Sequence, residues 1–221
     1  MSDFPKTKRN QVKRIPKRGK YDKETIYDIM DQGLICHVGF VQDGQPFVIP
    51  TLHARDGDNL LLHGASTSRM MKHFAAGNPA CVTITLVDGL VLARSTFHHS
   101  VNYRSVVVFG SGYLVSDEGK MAALERFTER IMPGRWDDAR QPNAQELKAT
   151  SVIAIPMESA SAKIRVGGPV DDDEDYELPV WAGVVPLSEQ VGTPQVDPLS
   201  RNDVPLPDYI SNYVTERGGT L

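Results

Sequence analysis

Three Asp-Gly pairs divide the first half of the chain into short apolar runs, and this pattern restricts the fold more than any other feature. The pairs are Asp43-Gly44, Asp56-Gly57 and Asp88-Gly89. Asp-Gly tolerates the positive φ angles that tight hairpin turns require, so the sequence predicts antiparallel strands joined by short turns. The predicted strands cover residues 34–41, 47–54, 60–63, 80–87, 90–94, 105–115, 151–156 and 162–166.

The helical signals are fewer than the strand signals. Asp22 is a typical N-cap for a helix over residues 23–31, and Gly33 is placed to end that helix. No strand–helix–strand alternation is visible and no Gly-x-Gly-x-x-Gly motif occurs, which argues against a doubly wound fold. We therefore predict a mainly β protein, a β-barrel or sandwich with flanking helices. The other predicted helices cover residues 68–75, 118–132 and 143–149, the second of them capped by Ser116 or Asp117.

The composition excludes several classes of protein. With 221 residues, of which 40% are hydrophobic and 24% charged, the chain is long and apolar enough for a hydrophobic core. Its net charge of −4 does not indicate a nucleic-acid binder. No apolar stretch approaches the roughly 20 residues that span a bilayer, and no signal peptide is expected. Cys36 and Cys81 lie in apolar runs without Cys-x-x-Cys spacing, which predicts reduced core thiols in a cytoplasmic protein.

Charge is distributed unevenly along the chain. Residues 6–20 contain eight basic side chains, and residues 171–175 form the acidic block Asp-Asp-Asp-Glu-Asp. Such runs are typical of a solvated arm and a solvated loop. The alternative is that the basic arm docks on an acidic surface or steers anionic ligands.

The first polar cluster covers residues 63–69, His-Gly-Ala-Ser-Thr-Ser-Arg, between a predicted strand and a predicted helix. Such a junction offers free backbone N–H groups and the positive end of a helix dipole, and here also hydroxyl groups and the guanidinium of Arg69. Together these groups suit a phosphate. An ordinary helix start has the same residue types, because Ser and Thr are favoured N-caps.

The second polar cluster, residues 98–105, has the sequence His-His-Ser-Val-Asn-Tyr-Arg-Ser. Tyr103 can stack on a planar ligand, and Arg104 and Ser105 can hold an anion. The paired His98 and His99 suggest a metal, but adjacent residues on a strand face opposite sides, so we predict no metal site. A polar turn with satisfied side chains is the alternative.

An apolar island, residues 179–187, interrupts the polar C-terminal region. It either closes the core as a strand or brings Trp181 over a ring system at a cleft or interface. Trp136 is expected to be a packing residue. The absence of a Gly-x-Ser-x-Gly motif argues against an esterase-type nucleophile.

These clusters, in this order, resemble the pyridoxamine 5′-phosphate oxidase-like proteins, and in particular the flavin-nucleotide-binding branch that includes the nitroimidazole-resistance proteins. The matching runs are 49–51, 60–65 followed by Arg69, 97–110 and 180–187. The resemblance implies a basic N-terminal arm at 1–20, an FMN-binding split-barrel domain at 21–194 and a C-terminal tail at 195–221.

The same resemblance implies a homodimer formed through the barrel, with one FMN in each of two clefts between the subunits. Main-chain groups of residues 49–51 would run beside the isoalloxazine ring, and residues 102–105 would complete the ring or phosphate contacts. Trp181 would lie near the ring. His63 stands where the family places a histidine close to the flavin, which makes it the candidate catalytic residue, as proton donor or ligand anchor.

For the phosphate, the resemblance implies Ser66, Ser68 and Arg69. The usual pattern of this branch is Gly-Arg-Lys, whereas this chain has Ser68-Arg69-Met70, so one cation is missing and Lys72 is expected to compensate. The implied cofactor-binding residues are Ile49, Pro50, Thr51, His63, Gly64, Ser66, Ser68, Arg69, Lys72, Asn102, Tyr103, Arg104, Ser105 and Trp181.

Two functions follow from the resemblance. The first is an FMN-dependent oxidoreductase that acts on a small molecule such as a nitro or quinone compound, with the flavin supplying the redox chemistry. Pyridoxamine phosphate itself is not the expected substrate, because the basic residues of that site are not evident. The second is a non-catalytic flavin- or haem-binding module, a carrier or sensor with a histidine as axial ligand, since no acid–base pair is obvious. Neither hypothesis involves nucleic acid or a membrane.

Overall fold

Two antiparallel sheets with helices around them form the fold of residues 3–201 and 203–221, which are the residues that this computed structural model describes. The prediction of a mainly β protein with flanking helices is confirmed. The strands are β1 (Gly19–Lys20), β2 (Ile35–Gln42), β3 (Gln45–Leu52), β4 (Ala54–Asp56), β5 (Asn59–Ala65), β6 (Pro79–Leu92), β7 (Ser100–Ser111), β8 (Tyr113–Leu114), β9 (Thr150–Pro156), β10 (Ser159–Arg165) and β11 (Gly183–Pro186). The helices are α1 (Lys23–Gln32), α2 (Arg69–Ala75), α3 (Asp117–Ile131), α4 (Arg135–Asp138), α5 (Ala144–Ala149) and α6 (Asp208–Glu216).

The larger sheet has the strand order β1-β10-β7-β6-β2-β3, with β11 added beside β6, and the smaller sheet has the order β4-β5-β9-β8. Alternate residues of each strand point inward, so Val38 and Ile84 of the larger sheet and Leu62 of the smaller one are fully buried. Helices α1 and α2 add Ile26 and Phe74 to this core. Burial of each such side chain contributes about 1.5–3 kcal/mol to stability.

The expected hairpin at Asp88-Gly89 does not exist. Strand β6 continues through this pair, and a β-bulge shifts its register against β7 between Val87 and Gly89. Neighbouring segments hold the chain straight: the N–H of Leu187 donates to the carbonyl of Asp88 over 3.1 Å, and Arg104 forms an ion pair with the Asp88 carboxylate. Long-range pairing on both sides of β6 therefore overrides the local turn preference.

Strand β7 begins five residues earlier than predicted, and the predicted strand 105–115 is broken in two. The break lies at Gly112, between β7 of the larger sheet and β8 of the smaller sheet. A Cβ atom at Gly112 would lie 2.7 Å from the Cβ of Phe74, so this position requires glycine where the chain crosses between the sheets.

Helix α1 ends as predicted, with Gly33 as its C-cap, but the physical reason is different. Gly33 has an extended backbone rather than a left-handed one. A Cβ atom there would lie 2.5 Å from Ile84, so the glycine is needed for close packing. The guanidinium of Arg130 on α3 supplies the missing donors, because it binds the carbonyls of Met30, Asp31 and Gly33.

His53 belongs to the same buried group at the end of α1. Its side chain is completely buried, and its Nε2 atom donates to the carbonyl of Met30 over 3.0 Å. Burial, followed by the nearby Arg130 charge, lowers the pKa of His53 to about 4. This histidine is therefore a neutral structural group.

The basic arm packs on the domain instead of extending into solvent. Phe4 and Asn10 are buried, and the amide of Asn10 donates to the carbonyls of Pro5 and Ala160 over 3.0 and 2.8 Å. The arm ends in β1, which pairs with β10. The arm is therefore anchored at Phe4 and Asn10, but its basic side chains are exposed, as predicted, apart from the half-buried Arg18.

The acidic block is not uniformly solvated either. Asp171 is buried, where its carboxylate accepts from the backbone N–H groups of Arg94 and Ser95 and pairs with the Arg94 guanidinium. These bonds outweigh burial, which alone would raise the pKa of Asp171, and hold that pKa below its ordinary value. Asp172 to Asp175 are exposed or half-buried, as predicted.

The C-terminal tail contains helix α6, which was not predicted. Val214 is buried, and the hydroxyl of Tyr209 donates to Asp138 over 2.7 Å. Arg135 in turn donates to that hydroxyl over 2.9 Å, which ties α6 to α4.

Both cysteine thiols are free, as expected. Cys36 is fully buried, which raises the pKa of its thiol to about 12, and Cys81 is half-buried. Among the described residues, no helix has the length and apolar character that crossing a membrane requires.

Candidate functional site

His63 lies on β5 and faces a cleft of about 360 Å³ between the smaller sheet and helix α3. Volumes of this order are typical of small-molecule sites. Aromatic and aliphatic side chains dominate its wall, chiefly those of Leu52, Leu124, Phe127, Ile131 and Trp136. We refer to this feature as the His63 cleft.

The imidazole of His63 is an uncharged donor or acceptor in this apolar cleft. Its Nδ1 atom is buried, and no hydrogen-bond partner for it occurs among residues 3–201 and 203–221. Burial lowers the pKa of His63, so the ring is neutral at pH 7. A neutral imidazole with an unpaired nitrogen is suited to hydrogen-bond a ligand or to coordinate a metal centre.

A second cleft, of about 450 Å³, contains two of the predicted phosphate ligands. Arg69 and Lys72 line it together with Thr67, and we call it the Arg69 cleft. The guanidinium of Arg69 lies over the Phe47 ring, 4.4 Å from the ring centroid. Two cations and a hydroxyl group converge here, which is the donor set that an anion requires.

The strand-to-helix junction offers fewer free backbone donors than the sequence predicted. The N–H of Ser66 donates to the carbonyl of Ala149 over 2.8 Å, and that of Ser68 donates to Ala65 over 2.9 Å. Ser68 occupies the N-cap position of α2, but its side chain makes no capping bond. Gly64 pairs with Ser151 inside the smaller sheet. The anion-binding groups of this junction are therefore mainly side chains.

Residues 49–51 lie on β3, an edge strand that pairs only with β2. Ile49 packs against the core, whereas Pro50 is exposed. A proline is tolerated in a strand where its nitrogen faces away from the partner, so Pro46 and Pro50 mark the residues whose main-chain groups face the open edge. Carbonyl groups without a strand partner are therefore available along this edge.

The predicted group 102–105 is largely occupied by structural contacts. Asn102 is buried, where it accepts from Arg165 and donates to the carbonyl of Gly167 over 3.1 Å. Arg104 forms a bidentate ion pair with Asp88 at 2.8–3.3 Å. Ser105 donates to the carbonyl of Lys163 over 3.3 Å, and Tyr103 pairs with Val87 across the sheet.

Within one protomer, these residues do not line the Arg69 cleft. Arg104 lines a separate cleft with Gln32 and Asp88. Trp181, which was predicted near the flavin ring, is 66% exposed and covers Gly183. The resemblance implies that residues 63–69 of one subunit and residues 102–105 of the other lie together around the flavin. This arrangement of two subunits stays a prediction.

His98 and His99 turn to different partners, although neither lies on a strand as the prediction assumed: His98 ends a short 3-10 helix, Thr96–His98, and His99 follows it. His98 lies 3.3 Å from Asp172, whereas the N–H of Ala93 donates to Nδ1 of His99 over 3.1 Å. Ligand atoms of His98, Asp172 and Asp175 lie within 4.8 Å of one another. Exposed carboxylates near a histidine are common on protein surfaces, so this group does not define a metal site.

Two residues of the His63 cleft were not recognised as functional in the sequence. Phe127 and Trp136 lie more than 60 positions after His63, on and beyond α3, and nothing in their local sequence distinguishes them from packing residues. Helix α3 brings Phe127 against His63, and α4 brings Trp136 to the rim. Only the tertiary fold reveals that the wall is aromatic.

The two antiparallel sheets form an open barrel with flanking helices and clefts along its rim. This architecture defines a split-barrel protein. The family model described as pyridoxamine 5′-phosphate oxidase matches residues 22–164, so this chain belongs to the pyridoxamine 5′-phosphate oxidase family. The resemblance inferred from the sequence and the split-barrel fold are both confirmed. No curated protein matches the chain.

Two solved structures are similar over nearly the whole chain. The flavocytochrome Anf3 from Azotobacter vinelandii is 40% identical, with 93% of this chain and 96% of that chain covered and a TM-score of 0.89. An FAD and haem binding protein from Mycobacterium smegmatis is 36% identical, with 89% and 97% covered and a TM-score of 0.86. A 5-nitroimidazole antibiotic resistance protein from Bacteroides thetaiotaomicron, 22% identical with 66% and 86% covered and a TM-score of 0.57, shares the fold.

Proposed function

We propose that this protein is a flavin-dependent oxidoreductase that also binds haem and works as a homodimer. One of the two similar proteins is named a flavocytochrome and the other an FAD and haem binding protein. The observation that carries the haem assignment is the neutral His63 in its apolar cleft. Flavin and haem together supply hydride and one-electron chemistry.

His63 is the residue that would hold the haem iron. A histidine that ligates haem must have an unprotonated ring nitrogen, and burial keeps His63 neutral. Its Nδ1 atom has no competing hydrogen bond among the described residues. The aromatic and aliphatic walls of the cleft match the apolar face of a porphyrin.

Arg69 and Lys72 are the proposed phosphate ligands of the flavin. Both side chains line one cleft next to the hydroxyl-bearing Thr67. The stacking of Arg69 on Phe47 fixes the guanidinium without neutralising its charge. The open edge of β3 supports the placement of the ring, because the carbonyl of Pro50 can accept from the ring N–H. The family resemblance implies FMN, and the name of one similar protein gives FAD.

The homodimer is supported by an apolar surface on the larger sheet. Ile35, Val41, Val48 and Val87 all protrude from its outer face, and each is between 48% and 68% exposed. Exposed apolar residues that share one face are typical of a subunit interface. Tyr103 and Ser105 share this outer face, because Tyr103 pairs with Val87 and Ser105 with Thr85, so a second copy on this face would cover them.

The haem assignment is tested with a spectroscopic titration of the purified chain. Wild-type protein should bind haem with a Soret band shifted by histidine ligation. His63→Gly should lose that shift and regain it when free imidazole is added, because the cleft then accepts the missing ligand. His37→Gly, which removes an exposed histidine of β2, is the matched control. An unchanged Soret band in His63→Gly would refute the assignment.

Flavin binding is measured separately from haem binding, so that either cofactor assignment can be refuted without the other. Quenching of flavin fluorescence measures the affinities for FMN and FAD directly. Anaerobic addition of NADH or NADPH, followed by a panel of nitro compounds and quinones, then separates an enzyme from a carrier. Bound flavin that is reduced but passes no electrons to haem or to any acceptor would favour the non-catalytic module.

A further inference from the structure

The wall of the His63 cleft is not held equally on all sides. Leu52, Leu124 and Phe127 belong to the apolar core between the smaller sheet and α3 or pack against it. Trp136 lines the same cleft from α4, but it is half-buried and belongs to neither apolar core of the described residues. The cleft therefore has one wall that the core fixes and another wall that other contacts must hold.

Helix α4, which carries Trp136, is a single turn of four residues. Such a short helix is not stable by itself, because one turn forms too few backbone hydrogen bonds to offset the ordering of its residues. At its start, the carboxylate of Glu129 on α3 accepts from the N–H groups of Gly134 and Trp136 over 2.7 and 2.9 Å. These two bonds fix the beginning of α4 to α3, but they do not hold its last residue, Asp138.

The C-terminal helix α6 supplies the second attachment of α4. The hydroxyl of Tyr209 donates to the Asp138 carboxylate over 2.7 Å, and Arg135 donates to that hydroxyl over 2.9 Å. The side chain of Tyr209 also packs on Gly134, where φ is 86° and a Cβ atom would lie 3.3 Å from Cβ and Cγ of the tyrosine. One side chain of α6 therefore contacts the residue before α4 and the last residue of α4.

Helix α6 lies at the periphery of the domain. Val214 is its buried residue, and Val214 belongs to neither apolar core. Residues 187–201 and 203–207, which connect β11 to α6, form neither a helix nor a strand. Elements with few buried apolar contacts open at a lower free-energy cost than the core does. Helix α6 can therefore leave the surface while both sheets stay folded.

We propose that α6 is a strap that holds Trp136 against the His63 cleft and so controls the entry and release of the group bound there. The identity of that group, haem, rests on the proposed function, whereas the attachment of Trp136 does not. While Tyr209 is docked, both ends of α4 are fixed and the cleft keeps its second wall. When α6 detaches, α4 retains only the Glu129 bonds at its start, and Trp136 moves away from the cleft.

The test uses the full chain with Trp181→Phe as background, so that Trp136 is the one remaining tryptophan. Tyr209→Phe removes the hydroxyl and keeps the ring on Gly134, and Tyr209→Ala removes both. Tyr213→Phe is the matched control, because it changes a tyrosine of the same helix whose ring lies 3.9 Å from the guanidinium carbon of Arg217, at the end of that helix.

Three quantities are measured. Acrylamide quenching of tryptophan fluorescence in haem-free protein reports the exposure of Trp136. Transfer of haem to an excess of apomyoglobin gives the rate of release. The melting temperature reports the stability of the sheets, and it should stay at the wild-type value in Tyr209→Phe because α6 lies outside both cores.

We expect Tyr209→Phe to increase the quenching of Trp136 and to accelerate haem release at least about fivefold, since a charge-assisted hydrogen bond is lost. Tyr209→Ala should have the larger effect on both quantities, and Tyr213→Phe should change neither.

Unchanged quenching in both Tyr209 variants would overturn the proposal, whether or not the protein binds haem. Increased quenching with an unchanged rate of haem release would overturn it as well, because α6 would then hold Trp136 without controlling the cleft. A lower melting temperature in Tyr209→Phe that accompanies faster release would reduce Tyr209 to a general structural role. Increased quenching in a protein that binds no haem would support the strap and refute the haem assignment.

Discussion

The rings of His63 and Phe127 meet edge to face, with centroids 4.3 Å apart and planes inclined by 60°. This contact joins β5 of the smaller sheet to helix α3. It restricts the imidazole to one orientation and covers it on the side of the helix. The orientation and burial of the His63 imidazole therefore depend on a residue that lies 64 positions later in the sequence.

Replacement of Phe127 should change both stability and the ionisation of His63. Phe127→Ala removes a side chain that is 3% exposed, and should cost about 3–5 kcal/mol in the free energy of unfolding. Water then reaches the imidazole, so the pKa of His63 should rise towards its ordinary value. Urea unfolding and an NMR titration measure the two effects. Phe97→Ala, at a position 87% exposed, is the control and should change neither.

Arg69→Ala should weaken flavin binding. The loss of a charge-assisted contact costs about 1.5–3 kcal/mol, which corresponds to a loss of affinity of roughly 10- to 150-fold. Fluorescence quenching with FMN or FAD provides the measurement. Arg201→Ala, which removes an exposed arginine of the tail, should leave the affinity unchanged. An unchanged affinity in Arg69→Ala would move the phosphate out of the Arg69 cleft.

As the pH decreases below about 6.5, the free energy of unfolding should decrease, partly because of His53. In the folded protein the pKa of His53 is about 4, below its ordinary value of 6.5. The unfolded chain therefore binds a proton between these values that the folded chain does not, and stability is lost as pH falls through this window. The loss is at most roughly 3 kcal/mol.

Urea unfolding at a series of pH values between 4 and 7 checks this prediction. His53→Gln should flatten the slope of stability against pH in that window, whatever its effect on stability at pH 7. His37→Gln, on the exposed side of β2, should keep the wild-type slope. An unaltered slope in His53→Gln would assign the acid sensitivity to other groups.

Asn10→Ala should release the arm. The substitution leaves the buried carbonyl of Ala160 without its donor, at a cost of about 1–3 kcal/mol. Limited trypsin digestion should then cut the basic arm faster than in the wild type. Gln11→Ala, at the adjacent exposed position, should be cut at the wild-type rate. Equal rates for both variants would mean that Asn10 does not hold the arm.

Local chemistry made part of this fold predictable. Asp22 caps α1 by accepting from the N–H of Thr25 over 2.8 Å, and Ser116 caps α3, both as predicted. Asp43-Gly44 forms the expected hairpin turn with two positive φ angles. These features depend on a few adjacent residues, so the sequence carries the whole signal.

The features that could not be predicted from the sequence depend on contacts between residues far apart in the chain. The ion pair between Arg104 and Asp88 forms only because β6 and β7 pair in one register. The anchoring of the arm depends on a hydrogen bond between Asn10 and Ala160, 150 positions apart, so the local sequence of the arm could not reveal it. The resemblance to a family supplied candidate site residues, but not the neighbours that occupy Asn102 and Arg104 in the folded protein.

The prolines of β3 have a consequence for behaviour in concentrated solution. An edge strand with unpaired main-chain groups can recruit another strand and start aggregation. Pro46 and Pro50 lack the N–H groups that such a recruit would need, and they flank the exposed Val48. The open edge can thus accept a hydrogen bond from a small guest while remaining a poor template for fibril growth.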